Sequence, residues 1–202
     1  MRKLVALFAA VMSVVAGYSQ SGSEVLRAMT EKVASLGSYY IDFELEMPMA
    51  EGVSKGECRV DGEKYVISIE GMVQGSDGVT LWVVNGLNEE VMLDAPRTTS
   101  RSLFDNPTKA FDFTEELFEI VSVKSASPKE WELQLQPAKG VLDGIDVVEL
   151  RVDKTTLLPT RLGYDMAGAG LYVNIRSLRP EKFPEESFQA PNPEGYEVID
   201  FR

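Results

Sequence analysis

The apolar residues of this chain change from helical spacing to strict alternation near residue 37. Residues 21–36 carry apolar side chains every three or four positions, and Gly37 follows as a stop, so this segment predicts a helix. From Tyr40 to Met47 apolar and acidic residues alternate. Alternation with a period of two predicts a strand that buries one face and leaves the other in water.

Short apolar stretches separated by turn residues continue to residue 177. Asp61-Gly62, Ser76-Asp77-Gly78 and Asn85-Gly86 are typical of tight turns between antiparallel strands. The further predicted strands are 55–60, 65–69, 72–74, 81–84, 90–93, 118–124, 131–136, 146–152, 159–165 and 171–177. Their short and regular separation indicates an antiparallel meander, and therefore a mainly β (α+β) fold.

One segment, residues 97–116, interrupts this succession of strands. Asn106-Pro107 has the residue types that favour the N-cap and the first position of a helix. Apolar side chains, among them Leu103, Phe104 and Phe111, lie around this pair. The sequence therefore predicts a short apolar helix here. Beyond residue 180 it predicts a proline-rich tail that docks on the body through its aromatic residues.

The first 20 residues are typical of an export signal. A basic start at Arg2 and Lys3 precedes an apolar run over 4–15 that is too short to span a bilayer, and small residues follow. We expect cleavage near Ser19 or Gln20; a retained membrane anchor is the alternative. The mature chain, 21–202, is then an exported protein of one domain.

Composition excludes several classes of chemistry. The 202 residues include no histidine and one cysteine, so a Ser-His-Asp triad, an imidazole metal site and an intramolecular disulfide are excluded. Lys and Arg number 20 against 32 Asp and Glu, a formal charge of −12 that becomes −14 when Arg2 and Lys3 leave with the signal. A chain this acidic is a poor ligand for nucleic acid and for anionic membrane surfaces.

The acidic clusters and the lone cysteine do not indicate a catalytic or metal site. The three carboxylates of residues 42–46 share one strand face, and a solvated face is the simpler interpretation. Asp143-Gly-Ile-Asp146 lacks the dense oxygen ligands of a calcium loop and indicates a turn. Cys58 is in the apolar phase of its strand, with no histidine to activate it, and is expected to be an inert buried thiol. No catalytic residue, metal or cofactor is predicted.

The apolar phase of the strands is the remaining candidate for function. It forms either an ordinary core or the wall of an apolar cavity that holds a lipid or an acyl chain, and periodicity alone leaves both open. The candidate lipid-binding residues are Phe43, Leu45, Tyr65, Ile67, Ile69, Trp82, Val84, Phe104, Phe111, Val148, Leu150 and Val173.

The order of the motifs resembles the LolA-type periplasmic lipoprotein carriers. Residues 38–43, Ser-Tyr-Tyr-Ile-Asp-Phe, look like the family's aromatic first strand, and 75–85, Gly-Ser-Asp-Gly-Val-Thr-Leu-Trp-Val-Val-Asn, is similar to its Ser-Asp-Gly-Lys-Thr-Leu-Trp stretch. Residues 188–201 are similar to its terminal Phe-x-x-Pro…Val-x-Val-Asp pattern, in the form of Bacteroidetes-type members. The resemblance covers essentially the whole mature chain.

The resemblance implies a strongly curved antiparallel half-barrel of about 10–11 strands. The helix 21–36 and the segment 103–113 would be lid or plug over an apolar cavity, and Trp82 would belong to a strand of the half-barrel. The implied function is a monomeric, cofactor-free periplasmic carrier that shields acyl chains of lipoproteins, or related lipids, between the inner and outer membranes. The implied partners are these acylated lipoproteins or lipids, an inner-membrane ABC transporter and an outer-membrane acceptor, without stable membrane insertion.

The sequence departs from the family at one position. Well-known members carry an Arg-Pro pair after the second strand, where Asp61-Gly62 stands here and Arg59 is two residues out of register. The family's lid mechanism therefore does not transfer directly to this chain. Three rival hypotheses are a module on the same fold that senses lipid or unfolded envelope proteins, an enzyme, and a scaffold of the cell envelope.

Overall fold

A computed structural model of the protein describes residues 21–48, 52–166 and 169–202. In this part of the chain one α-helix, α1 (Gly22–Ala34), precedes the strands. The strands are β1 (Ser38–Glu46), β2 (Val53–Asp61), β3 (Lys64–Ile69), β4 (Met72–Ser76), β5 (Leu81–Asn85), β6 (Glu90–Asp94), β7 (Phe118–Ser127), β8 (Glu130–Pro137), β9 (Val147–Asp153), β10 (Pro159–Met166), β11 (Ala169–Pro180) and β12 (Glu197–Asp200). The export signal predicted for residues 1–20 lies outside the described residues.

The 12 strands form one curved, open sheet. Their order is β12-β6-β5-β4-β3-β2-β1-β11-β10-β9-β8-β7, so β12 and β7 are its two edges. Neighbouring strands are antiparallel, except that β12 runs parallel to β6. The meander predicted from the turns is confirmed. The sequence predicted 10 or 11 strands, and β12 was missed because it was interpreted as part of a docking tail.

The helix predicted for residues 21–36 is confirmed as α1. Ser21 and Glu24 form a capping box, in which the Ser21 hydroxyl accepts from the Glu24 N–H at 3.2 Å and the Glu24 carboxylate accepts from the Ser21 N–H at 3.1 Å. These bonds satisfy donors that a helix start leaves open. The apolar face of α1 is buried against the sheet through Val25, Met29 and Val33.

The alternating strand residues give the sheet an inner face that carries the core. The inner face is the one to which Ile41 of β1 belongs, and α1 and the segment 95–117, which joins β6 to β7, pack against it. Inner-face side chains buried in this core include Tyr39, Ile41, Phe43, Cys58, Ile67, Leu133, Leu150, Leu162 and Val173. The opposite face is called the outer face.

The short apolar helix predicted within 97–116 is not formed. The only helical piece of the segment is one 3-10 turn, Pro107–Lys109, which begins at the predicted Asn106-Pro107 pair. Apolar side chains still anchor the segment, since Leu103 and Phe111 are buried. Side chains of the sheet bond the backbone of the segment directly, so it has an alternative to helical hydrogen bonds.

Charged side chains cover the outer face of β7–β10. Glu132 pairs with Lys124 at 2.6 Å and with Arg151 at 3.0 Å, and Glu149 pairs with Arg161 at 3.3 Å. The hydrogen bond from Lys124 is the largest cause of a lowered pKa at Glu132. This half of the outer face is therefore hydrophilic and cross-linked between strands.

The carboxylates of residues 42–46 lie on the outer face, as predicted from their spacing. Asp42 is exposed, Glu44 pairs with Arg176 of β11, and the Glu46 carboxylate accepts from Asn174 at 3.3 Å. Cross-strand partners thus reduce the repulsion between these like charges.

Candidate functional site

An apolar cleft opens on the inner face where the segment 95–117 meets β3 and β4. Its volume is about 440 Å³. The residues that line this apolar cleft are Leu45, Met47, Ile67, Ile69, Met72, Gln74, Phe104, Asp105 and Leu171. Met72 is 62% exposed although it belongs to the wall, so an apolar surface at the cleft is available to a ligand.

Two polar side chains of the sheet hold the segment against the cleft. The Tyr65 hydroxyl donates to the Asp105 carbonyl at 2.9 Å, and the Gln74 amide donates to the Phe104 carbonyl at 3.0 Å. Gln74 also donates to the Tyr65 hydroxyl at 3.0 Å, which joins the two contacts into one network. Burial raises the pKa of Tyr65 to about 12, so its hydroxyl keeps the proton that it donates.

The segment is anchored at two further points by single side-chain hydrogen bonds. The Leu103 N–H donates to the Tyr164 hydroxyl of β10 at 3.1 Å, and the Thr30 hydroxyl of α1 donates to the Phe113 carbonyl at 3.1 Å. Burial is the main cause of a raised pKa at Tyr164. Each of these contacts involves a side chain, and at its C-terminal end the segment also bonds through its backbone, where the Leu117 carbonyl accepts from the Ala138 N–H at 2.8 Å.

Arg59, the arginine nearest to the position of the family's Arg-Pro pair, does not contact this segment. It lies on the outer face of β2 and pairs with Glu57 at 3.0 Å. Tyr65 and Gln74 are instead the sheet side chains that bond the carbonyls of the segment at the cleft.

The structure brings ten of the predicted lipid-binding residues together on the inner face or in the segment that covers it. Four line the apolar cleft: Leu45, Ile67, Ile69 and Phe104. Six are buried in the core of the inner face: Phe43, Tyr65, Phe111, Val148, Leu150 and Val173. The part that each plays in binding stays a prediction.

Trp82 and Val84 lie on the outer face instead. Within β5, Leu81 opposes Ser76 of β4, which in turn opposes the inner-face residue Tyr65, so the next residue, Trp82, points the other way. Trp82 packs over Gly75, where an added Cβ would be 2.3 Å from the indole ring. Its indole N–H donates to the Phe188 carbonyl at 3.0 Å. The tail therefore buries Trp82 away from the apolar cleft, although it belongs to a strand as expected.

Five residues of the cleft were absent from the predicted set: Met47, Met72, Gln74, Asp105 and Leu171. Met47 and Leu171 are at apolar positions of the alternating pattern, so the sequence could have indicated that they belong to the inner face. Gln74 is polar and Asp105 contributes through a loop, so hydrophobic periodicity gives no sign of either.

Residues 21–48, 52–166 and 169–202 contain neither a candidate metal site nor a candidate membrane-spanning helix. In these ranges no group of three or more Cys, Asp or Glu side chains is placed to hold a metal ion. The described residues also contain no helix with the length and apolar character that a membrane crossing requires. Cys58 is fully buried, and burial raises the pKa of its thiol.

Comparison with known proteins supports the fold. No family model matches the chain, and no curated protein matches it. Among solved structures, it is similar to an uncharacterized conserved protein from Thermus thermophilus, with a TM-score of 0.60 and 11% identity over 90% of this chain and 99% of that one.

Two further solved structures carry names related to the LolA-type resemblance. One is a LolA superfamily protein from Nitrosomonas europaea (TM-score 0.46, 14% identity, 85% of this chain and 98% of that one). The other is an outer membrane lipoprotein-sorting protein domain from Vibrio parahaemolyticus (TM-score 0.48, 14% identity, 81% and 95%). With TM-scores below 0.5, these two likenesses add nothing on function. The comparisons therefore establish the fold that this chain shares with the Thermus protein, and the fold alone.

Proposed function

We propose that this chain is a periplasmic carrier whose apolar cleft binds the acyl chains of lipoproteins, or related lipids, and takes them from the inner to the outer membrane. The supporting observation is the way in which the segment that borders the cleft is held. Side-chain hydrogen bonds from Tyr65 and Gln74 hold the covering segment, so the segment can move without breaking a strand pair.

The size and lining of the cleft suit an apolar ligand. Its volume of about 440 Å³ is within the range of small-molecule sites, about 300–1,000 Å³. Phe104 lines the cleft and packs edge-to-face on Tyr164 of β10 with ring centroids 6.2 Å apart, and its displacement would extend the cleft toward the buried inner face. The segment would then act as the lid that the LolA-type resemblance implies, with Tyr65 and Gln74 in place of the missing arginine.

Partial enclosure is what a carrier requires. Each buried methylene contributes about 0.8 kcal/mol, so complete burial of three acyl chains would exceed the practical affinity limit near 20 kcal/mol. Cargo bound that tightly would not be released. An open cleft leaves part of each acyl chain outside the protein interior, which keeps the affinity within a reversible range.

The partners in this proposal follow from the LolA-type resemblance. An inner-membrane ABC transporter would load the carrier, and an outer-membrane acceptor would receive the cargo. The carrier itself would act as a monomer and would not insert stably into either membrane.

The cargo can be identified by native mass spectrometry of the protein purified from its own periplasm. We expect a co-purified triacylated polypeptide. Free fatty acid or phospholipid in its place would favour the lipid-sensing module on the same fold. Protein that is repeatedly empty and does not bind an apolar fluorescent probe would contradict both.

A pair of variants on one strand tests the position of the site. Ile69→Asn places a polar group in the cleft wall, whereas Val66→Asn makes a comparable change on the outer face of β3. Loss of about two methylenes of apolar contact should weaken binding of the probe at least tenfold for Ile69→Asn. Fluorescence titration should show little change for folded Val66→Asn. Equal affinities in the two variants would place the probe elsewhere.

A further inference from the structure

The apolar cleft adjoins a second cleft of different character. This second cleft, called the polar cleft, has a volume of about 540 Å³. Phe104, Asp105 and Leu171 line both clefts, so the two spaces meet at these side chains. A ligand long enough to leave the apolar cleft at Phe104 would enter the polar cleft next.

The two walls of the polar cleft differ in chemistry. The loop that follows β6 contributes a row of hydroxyl groups from Thr98, Thr99, Ser100 and Ser102. The facing wall is formed mainly by apolar side chains from the loop before β9 and from β10 and β11. The lining therefore combines hydrogen-bonding groups with apolar surface, as the junction between a polar head and an acyl chain does.

The charges of the polar cleft disfavour an anionic head. The Arg97 guanidinium pairs with the Asp105 carboxylate at 2.6 Å, so these two lining charges offset each other. Asp143 is the remaining charged residue among those that line the cleft, and it is negative. A phosphate would therefore meet no unpaired cation there and one like charge, whereas an uncharged ester or amide would meet neither penalty.

The hydroxyl groups have two different tasks. The Ser100 hydroxyl accepts from the Ser102 N–H at 3.2 Å, and the Ser102 hydroxyl accepts from the Phe104 N–H at 3.2 Å. These bonds shape the loop and place Phe104 between the two clefts. Thr98 and Thr99 are exposed at the cleft, so they are the hydroxyl groups best placed to meet a ligand.

We propose that the polar cleft is a head-group subsite for an uncharged head rich in ester and amide groups, such as the acylated N-terminus of a lipopeptide. The acyl chain lies in the apolar cleft, and Phe104 and Leu171 contact the junction between chain and head. This inference rests on the proposed function, since it names the class of cargo that the same inner-face site selects.

The test compares two ligands with the same chain chemistry and different heads. The probes are a synthetic triacylated cysteinyl peptide and palmitate, titrated against the wild type and the double variant Thr98→Val/Thr99→Val. Valine is close to threonine in shape but lacks its hydroxyl. Loss of two ligand hydrogen bonds should weaken binding of the lipopeptide at least about fivefold and leave binding of palmitate unchanged. Thr155→Val, in the turn after β9 and outside both clefts, is the matched control and should change neither.

The outcomes separate this inference from the proposed function. If the double variant binds both probes as the wild type does, or loses equal affinity for both, the proposed head-group subsite is wrong. The proposed binding of acyl chains in the apolar cleft is then unaffected. If the wild type binds phosphatidylglycerol, which has an anionic head group, more tightly than the lipopeptide, the preference for an uncharged head group is also wrong. If the wild type binds neither the lipopeptide nor palmitate, the proposed function fails, and the subsite fails with it.

Discussion

Two apolar surfaces lie back to back on the same part of the sheet, and they are closed in different ways. On the outer face, the tail after β11 buries Trp82, whose indole N–H donates to the Phe188 carbonyl at 3.0 Å. This tail then enters the sheet as β12 and pairs with β6. On the inner face, the segment 95–117 is held by side-chain hydrogen bonds and leaves a cleft of about 440 Å³.

The comparison shows that apolar character alone does not identify a ligand site. Trp82 is the larger apolar side chain, yet it is 3% exposed and has its polar atom satisfied within the protein. Met72 is smaller, lines the cleft and is 62% exposed. The outer surface is therefore covered by the protein itself, whereas the inner surface keeps an exposed apolar side chain at the cleft, where the proposed function places the ligand.

The largest expected effect is on stability, from Trp82→Ala. Truncation of a buried tryptophan costs about 3–5 kcal/mol of the free energy of unfolding, and here it also leaves the Phe188 carbonyl without its donor. Urea denaturation measures this loss. The folded fraction should bind the apolar probe as the wild type does, because Trp82 does not line the cleft.

Ile69→Asn provides the opposite pattern, with weak binding and a smaller loss of stability. If Trp82→Ala is too unstable to purify, Trp82→Phe gives a milder version of the same test. A folded Trp82 variant that no longer binds the probe would mean that the outer surface belongs to the ligand site.

Most of the fold could be predicted because its signals are local. The capping box at Ser21 and Glu24 and the helical spacing that follows define α1 within a few residues. The hairpin turns and the alternation of side chains define the antiparallel strands. The strand β12 could not be found this way, because it depends on a distant pairing of Val198 with Val91 and its neighbours.

The site was predicted less completely, and β5 shows why. All four residues from Leu81 to Val84 are apolar, so alternation gives no indication of which ones face inward. Trp82 is held on the outer face by the space above Gly75 and by the Phe188 carbonyl of the tail, which accepts from its indole N–H. Both are tertiary contacts, which the local sequence does not indicate. For the same reason a short helix was predicted within 97–116, since the hydroxyl of Tyr65 and the amide of Gln74 that bond the backbone of this segment lie far away in sequence.

The stability of the inner surface should also depend on alkaline pH, through Tyr65. Burial raises the pKa of Tyr65 from 10.0 to about 12. Because the folded pKa is above the unfolded one, the stability linked to this proton is complete below pH 10 and is lost as the pH rises through 12. A shift of this size corresponds to about 2–3 kcal/mol. Urea denaturation at pH 9 and pH 11 should show a smaller decline for Tyr65→Phe than for the wild type; equal declines would assign the effect to other groups.

The smallest effect is the most informative about how the inner surface opens. At neutral pH, Tyr65→Phe removes the hydroxyl that donates to the Asp105 carbonyl and should destabilise the closed segment by about 1 kcal/mol. The proposed function has the segment move aside for an acyl chain, so the fraction with the segment displaced rises about fivefold and the measured affinity for a long-chain ligand such as palmitate rises by the same factor. Tyr40→Phe is the matched control, since its hydroxyl donates to Glu57 at 2.8 Å on the outer face. An unchanged or weaker affinity in Tyr65→Phe would mean that the segment does not open to admit ligand and that the inner surface is closed as permanently as the outer one.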